Sequence, residues 1–168
     1  MIEESLIISD TNIFLDLITV NMLDFLFQLP CDICTTDFVT NEIEWPEQKA
    51  EVDKHIKIKN LKEITFNYEE LVEINDLYNS NSTSMTDCSV WYYAKKTGCR
   101  LLTGDGKLRK AAEKDNVKVS GILYIFDNLV EYGILDKASA ATLIEHLLNV
   151  NSRLPKQECE KRIEEWRN

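Results

Sequence analysis

The chain has 168 residues, a hydrophobic content of 44% and a formal net charge of −10 at pH 7. This length suits one domain that buries its own core, and only five glycines and three prolines exclude an extensively disordered chain. The acidic balance argues against a nucleic-acid partner. The N-terminal apolar run is too short for a signal peptide or a membrane span, so we expect a cytoplasmic protein.

Apolar segments with strand-like and helix-like spacing alternate along residues 1–133. The predicted strands are, in chain order, Ser5–Ser9, Asp32–Thr36, Leu61–Phe66, Cys99–Thr103 and Val117–Ser120. The predicted helices are Ile13–Val20, Met22–Leu29, Asp37–Glu44, an exposed helix within residues 47–60, Tyr68–Tyr78, Met85–Lys96, Lys107–Lys114 and Ile122–Tyr132. This alternation predicts a three-layer α/β/α fold around a central parallel sheet of about four to five strands.

No strand is predicted after Ile134. Two amphipathic helices, Lys137–Asn149 and Pro155–Trp166, make up a C-terminal helical extension of residues 134–168, which we expect to pack on the domain of residues 1–133. Three partners could cover the apolar faces of these two helices: the core, a second copy of the chain in a homodimer, or another protein.

Four acidic residues stand where apolar or helix-starting segments meet polar turn residues: Asp10, Glu42, Asp87 and Asp105. Asp10 and Asp105 directly follow predicted parallel strands, so both should reach the sheet edge at which open α/β folds build ligand sites. A cluster of like charges is unfavourable unless a cation neutralises it, and carboxylate oxygens are the ligands that Mg²⁺ prefers. The pattern therefore predicts a site for a divalent metal ion.

Each acid also has a purely structural explanation. Asp10, Asp87 and Asp105 all stand at predicted helix starts, where a carboxylate accepts hydrogen bonds from free backbone N–H groups. Ser84 and Asp87 approximate a capping box. Glu42 lies in a short polar helix, so its structural explanation is simply that of a solvated surface side chain.

Three segments carry the acids in the order Asp–Glu–Asp–Asp: IISDTNIFLDL, VTNEI and TDCSVWYYAKKTGCRLLTGDGKLRKAA. Together they resemble the PIN-domain nucleases, especially the VapC-type toxins, over residues 5–130. The segment GILYIFDNLVEYGILDKASAATLIEHLL resembles PIN-like proteins with an added helical end. One departure is that Gly104 and Gly106 flank Asp105, where that family often has a second polar residue.

The resemblance implies a PIN-like fold and an endoribonuclease that depends on Mg²⁺ or Mn²⁺ and hydrolyses RNA phosphodiester bonds. The residues it implies as catalytic and metal-binding are Asp10, Glu42, Asp87 and Asp105. It implies supporting roles for Thr11, Asn12 and Thr103. For a toxin, it also implies a protein antitoxin that covers the site.

One basic stretch weakens the argument that the acidic net charge excludes a nucleic-acid partner. Residues 95–118 contain eight lysines and arginines against three acidic residues, and Asp105 lies among them. Lys107, Arg109 and Lys110 are predicted to neutralise the phosphates of a substrate. The alternative is an ordinary solvated helix face.

Two other functions compete with the metal-dependent nuclease. A phosphatase with an aspartate nucleophile needs a second acid two residues after the first, and Asn12 occupies that position. A PIN-like module that binds RNA or a protein partner without turnover is the alternative that the sequence leaves open.

Overall fold

The computed structural model describes residues 1–168 and contains one five-stranded sheet. All its neighbouring strands are parallel, in the order β3-β2-β1-β4-β5. The strands are β1 (Leu6–Ser9), β2 (Asp32–Thr36), β3 (Leu61–Ile64), β4 (Arg100–Leu102) and β5 (Val119–Ser120). The predicted parallel sheet is confirmed, and β3 is an edge strand.

Ten helices accompany the sheet. They are α1 (Thr11–Thr19), α2 (Leu23–Leu26), α3 (Asp37–Glu42), α4 (Pro46–Lys57), α5 (Tyr68–Ser80), α6 (Met85–Thr97), α7 (Gly106–Lys114), α8 (Ile122–Glu131), α9 (Lys137–Val150) and α10 (Lys156–Arg167). Each predicted helix is present, with its ends shifted by a few residues.

The central strands are apolar on both faces. Successive strand residues point to opposite sides of a sheet, and Ile7 and Ile8 of β1 are both at most 1% exposed. Leu101 and Leu102 of β4 are likewise fully buried. Helices must therefore cover both faces, which confirms the three-layer α/β/α arrangement.

The strand order places β1 at the middle of the sheet, between β2 and β4. The chain first builds outward from β1 through β2 to β3, and later resumes on the other side of β1 with β4 and β5. The order therefore reverses between β1 and β4. In open α/β sheets, ligands bind outside the carboxyl ends of the strands at this reversal.

In two helices, the observed burial differs from the burial that the sequence pattern predicts. The helix predicted to be exposed within residues 47–60 buries Val52 and His55, and the His55 ring stacks on Phe27 at a centroid distance of 4.1 Å. The reverse holds for α5, where only Ile74 is buried while Leu71 is 38% exposed. This helix follows the edge strand and packs mainly on α6, so part of its apolar stripe has no covering layer.

The C-terminal helices pack on the rest of the chain. Ala140, Ile144 and Leu147 of α9, together with Cys159 of α10, belong to the main hydrophobic core. Most of the apolar faces of these helices are therefore used within the chain itself. None of the ten helices combines the length and the apolar composition that crossing a membrane requires.

Candidate functional site: an acidic cluster at the carboxyl edge of the sheet

The structure gathers the four acids at one end of the sheet. Asp10 follows β1 directly, and Asp105 lies three residues after the end of β4, its neighbour. Glu42 is the last residue of α3, and Asp87 lies in the first turn of α6. Asp10, Glu42 and Asp87 line one cleft of about 370 Å³, whereas Asp105 lines an adjoining cleft of about 720 Å³. Asn12 lines both clefts.

Asp10 is the most deeply placed of the four, with 2% of its surface exposed. Its backbone N–H donates to the Leu102 carbonyl oxygen at 2.9 Å, which continues the pairing of β1 with β4. Its Oδ1 accepts a hydrogen bond of 2.7 Å from the backbone N–H of Thr11. Its Oδ2 accepts one of 2.9 Å from the hydroxyl of Thr103. Both carboxylate oxygens are thus held in fixed positions.

Thr103 joins two of the acids. Its hydroxyl donates to Asp10 and accepts a 3.0 Å hydrogen bond from the backbone N–H of Asp105. Because the threonine is fully buried, this link fixes the loop that carries Asp105 relative to β1. Thr103, which the sequence predicts to support the site, therefore contacts both Asp10 and Asp105.

Thr11 orients Glu42 in a similar way. The hydroxyl of Thr11 donates to Glu42 Oε2 at 2.6 Å, although the two residues lie 31 positions apart in the chain. Glu42 is otherwise exposed, and this bond directs one end of its side chain toward the cleft. Its other oxygen, Oε1, accepts no hydrogen bond from the protein.

The three aspartates also cap helices, as their structural explanation predicts. Asp10 is the N-cap of α1, and Asp105 Oδ1 accepts the backbone N–H groups of Lys107 and Leu108 at 2.8 Å each. Asp87 and Ser84 form a capping box, in which Asp87 Oδ2 accepts from the Ser84 backbone at 3.3 Å. Capping does not exclude metal binding, because each capping bond uses one oxygen of its carboxylate. Asp87 Oδ1 and Asp105 Oδ2 accept no protein hydrogen bond.

The acids act on one another electrostatically. Burial raises the pKa of Asp10 to about 7, and the neighbouring charges of Asp87 and Glu42 add to the rise. Burial also raises the pKa of Asp87, with further contributions from Asp105 and Glu42. No lysine, arginine or histidine forms an ion pair with any of the four. The cluster therefore carries negative charge without a protein cation to balance it.

The donor atoms of these residues are suited to a hard divalent cation. All the available donors are carboxylate, hydroxyl and amide oxygens, the set that suits Mg²⁺ and Mn²⁺. As the side chains stand, no three acids, histidines or cysteines lie close enough together to enclose an ion. Binding of an ion would require some of these side chains to rotate, and Glu42 is the exposed one of the four.

The structure divides the predicted phosphate-binding residues between two surfaces. Arg109 lines the 720 Å³ cleft beside Asp105, and its guanidinium donates to the Val119 carbonyl oxygen at 3.2 Å. Lys107 and Lys110 instead line a separate groove between α6 and α7. Lys95 and Lys114 also line this groove, so a cluster of four lysines is present there.

Sequence reasoning overlooked three parts of the site. Trp45 lines the acidic cleft, yet its sequence position beside Pro46 indicated only the end of a helix. Arg153, from the linker between α9 and α10, lies 3.5 Å from Asn12. Thr36, at the end of β2, and Ser89, two residues after Asp87, share a buried hydrogen bond of 2.8 Å. Only the exposed tryptophan had a local signal, namely an aromatic residue among charged ones.

Comparison with known proteins gives a family and a fold. A family model described as a PIN domain matches residues 6–168, including the C-terminal helices. No curated protein matches the sequence. Among solved structures, FitAcB from Neisseria gonorrhoeae is 14% identical over 70% of this chain and 99% of that chain, with a TM-score of 0.44. PAE2754 from Pyrobaculum aerophilum is 16% identical over 77% and 97%, with a TM-score of 0.52, and this likeness indicates a shared fold.

Proposed function

Because the chain belongs to the PIN-domain family, we propose that it is a metal-dependent endoribonuclease that hydrolyses phosphodiester bonds of RNA. The observation that carries the proposal is the buried carboxylate of Asp10. It lies among three further acids, and no protein cation pairs with any of them. Each aspartate caps a helix by itself, but gathering the acids in one place adds a repulsion between like charges, which a divalent cation would relieve.

Asp10, Asp87 and Asp105 would hold the ion, and Mg²⁺ or Mn²⁺ is the cofactor that we propose. When bound, the ion would lower the pKa of a water molecule and stabilise negative charge on phosphate oxygens. Thr103 and Thr11 keep Asp10 and Glu42 in their orientations through the hydrogen bonds described above.

Glu42 has a second role available. Its Oε2 is fixed by Thr11, so its free Oε1 is placed to accept a proton from the attacking water. Asn12 lies between the two clefts and can donate its amide N–H to a phosphate oxygen. Arg109, Lys107 and Lys110 remain our candidates for binding phosphates away from the reacting centre.

The proposal extends to the toxin of a toxin–antitoxin pair, with a protein antitoxin as the partner that blocks the cleft. A homodimer belongs to the same proposal. Both would need a surface other than the buried faces of α9 and α10, since those faces pack within the chain. Co-purification with the product of an adjacent gene would support the toxin role.

Substitution of Asp10 by Asn tests the nuclease directly. We expect Asp10→Asn to lower the Mg²⁺-dependent cleavage of RNA by about a thousandfold, because the substitution removes a buried charged ligand at nearly constant shape. Asp136→Asn is the matched control, because Asp136 also caps a helix but lies outside the cluster. It should retain full activity.

Two results would count against the enzyme. Full activity of Asp10→Asn would remove the acidic cluster from the reaction. Uptake of metal and RNA by the wild-type chain without cleavage would support the alternative, a PIN-like module that binds RNA or a protein partner without turnover.

A further inference from the structure

The groove between α6 and α7, of about 500 Å³, is lined by four exposed lysines, and we call it the lysine groove. Lys95 pairs with Asp115 at 2.9 Å, whereas Lys107, Lys110 and Lys114 form no ion pair within 4.0 Å. Acidic residues outnumber lysines and arginines by 29 to 19 in this chain, yet only one of them lines the groove. The groove therefore has an excess of positive charge that the protein itself does not neutralise.

Helix α7 holds three of these lysines in a row. Lys107, Lys110 and Lys114 lie within about 60° of one another around the helix, since successive residues of an α-helix turn by about 100°. Leu108 and Ala112, on another face, are fully buried and fix the helix on the core. Like charges at this spacing destabilise a helix, and an anion bound along the row would relieve their repulsion.

The rest of the groove adds little negative charge. Asp115 Oδ2 already accepts hydrogen bonds from Lys95 Nζ at 2.9 Å and from Trp91 Nε1 at 3.1 Å. The loop between α5 and α6 contributes neutral hydrogen-bonding side chains, those of Asn81, Ser82 and Thr83. Lysines together with amide and hydroxyl groups are the usual contacts of a nucleic-acid phosphate backbone, and such contacts carry no information about base sequence.

The lysine groove lies beside the acidic cleft along the chain. Thr83 lines the groove, and the next residue, Ser84, lines the cleft. Lys107 lines the groove two residues after Asp105, the fourth acid. Consecutive Cα atoms are about 3.8 Å apart, so each of these steps spans at most about 8 Å. A strand with one phosphate at the acids can therefore place further phosphates among the lysines, which favours RNA over an unrelated acidic protein as the ligand.

We propose that the lysine groove is a second binding surface for the RNA substrate, on which the lysines hold phosphates of the strand outside the acidic cleft. This inference rests on the proposed nuclease function and adds to it a dependence on the length of the substrate. A strand that occupies both surfaces binds more tightly than one that fills the cleft alone, because the second set of contacts forms within one complex. Cleavage is therefore most efficient for strands long enough to span both.

The first test counts the phosphates that are bound in the groove. The triple variant Lys107→Gln/Lys110→Gln/Lys114→Gln removes the row of charges and keeps a residue of similar helix propensity at each position. For an oligouridylate of about twelve nucleotides, the slope of log affinity against log salt should become shallower by about 2, since each contact to a single-stranded phosphate contributes about 0.7. Binding is measured in the Asp10→Asn background, so that the strand stays intact.

A second triple variant controls for the change in net charge. Lys57→Gln/Lys62→Gln/Lys137→Gln removes the same charge from exposed lysines that form no ion pair and line neither cleft nor the lysine groove. Its salt slope should equal that of the Asp10→Asn parent. An equal loss of slope in both triple variants would show a response to overall charge alone and would overturn the proposal.

The second test measures cleavage against the length of the strand, in the active background. For the wild type, the KM for oligouridylates of about two to twelve nucleotides should fall as the strand lengthens. The variant of Lys107, Lys110 and Lys114 should lose this advantage, with a KM for the longest strand raised about tenfold and kcat nearly unchanged, because contacts outside the reacting centre are equal in the ground and transition states. For the shortest strand that either chain cleaves, the two KM values should be the same.

The function and this inference fail in different ways. A wild-type chain that cleaves no RNA of any length overturns the nuclease and this inference with it. Cleavage with an unchanged salt slope and KM in the groove variant overturns the inference alone and leaves the lysines as an ordinary solvated helix face. A KM raised by the same factor at every length also overturns it, because the lysines would then act at the cleft itself. A shallower slope together with a KM effect confined to long strands supports it.

Discussion

The two ends of β1 carry acids in opposite electrostatic surroundings, and Glu4 is partly buried whereas Asp10 is fully buried. Glu4 precedes the strand and Asp10 follows it. The Glu4 carboxylate, 9% exposed, pairs with Arg100 at 2.7 Å and with Lys118 at 3.3 Å. Burial alone would raise its pKa, but the hydrogen bond and charge of Arg100, joined by Lys118, lower the pKa to about 2. Asp10 has no cation, and its pKa is raised to about 7.

The contrast separates an acid that is paired with cations inside the protein from one that has no such partner. Arg100 also stacks on Tyr124, whose ring centroid is 4.6 Å from the guanidinium, so the Glu4 end is a closed network. At the Asp10 end, the chain places three further acids where a lysine or arginine would have balanced the charge. Four measurements, including the cleavage assay of Asp10→Asn, test this distinction.

The largest effect after loss of cleavage should be stabilisation by metal. At about a hundred times its dissociation constant, Mg²⁺ or Mn²⁺ should stabilise the wild-type fold by about 2.7 kcal/mol. For a chain of this size, that corresponds to a rise in Tm of about 5–10 °C. Asp10→Asn should show no such rise in a thermal melt, whereas Asp136→Asn should match the wild type. An equal rise in Asp10→Asn would remove it from the metal site.

The next largest effect is a loss of stability when Glu4, at the other end of β1, is substituted. Glu4→Gln should lower the free energy of unfolding by about 2 kcal/mol, because it leaves the half-buried Arg100 without its counterion. Urea denaturation measures this difference. Glu3→Gln is the matched control, since Glu3 is exposed and lies 3.9 Å from Lys118; it should change little. RNA cleavage should be unaffected in both variants, and its loss in Glu4→Gln would contradict the separation of the two ends.

The smallest effect is a dependence on pH. Because the folded-state pKa of Glu4 is depressed, its contribution is fully present above the ordinary value of 4.5 and is lost as the pH falls through about 2. We expect about 1–2 kcal/mol to disappear over this window, after allowance for solvent screening. The stability difference between wild type and Glu4→Gln, followed by urea melts from pH 5 to pH 2, should shrink accordingly. A difference that stays constant would contradict the ion pair.

Much of the sheet could be predicted because its signals are local. Buried parallel strands are short apolar runs, and Asp10 and Asp105 follow two of them closely. Parallel pairing then brings both acids to one edge without further information. The family match and the parallel order confirm this architecture. The use of the acids as metal ligands stays a prediction that the experiments above address.

The distribution of cations could not be predicted in the same way. Lys107 and Lys110 lie three residues apart and share one face of α7, whereas Arg109 lies about 200° around the helix from Lys107. A count of charges in the sequence cannot separate these faces. Arg153 reaches Asn12 from 141 residues away, so only the packing of the C-terminal helices reveals it. The exposure of Leu71 likewise depends on which layers cover α5.

The bridge made by Thr103 also has a consequence for the order of folding. Its hydrogen bond to Asp10 joins residues 93 positions apart, and β1 lies between strands that arrive early and late in synthesis. Closing so long a loop is slow and comes after local structure has formed. A growing chain therefore has no complete acidic cluster until residue 105 has emerged, so ribosome-bound fragments shorter than this should be inactive. For a protein that would cut RNA, the fold itself delays activity until most of the chain is made.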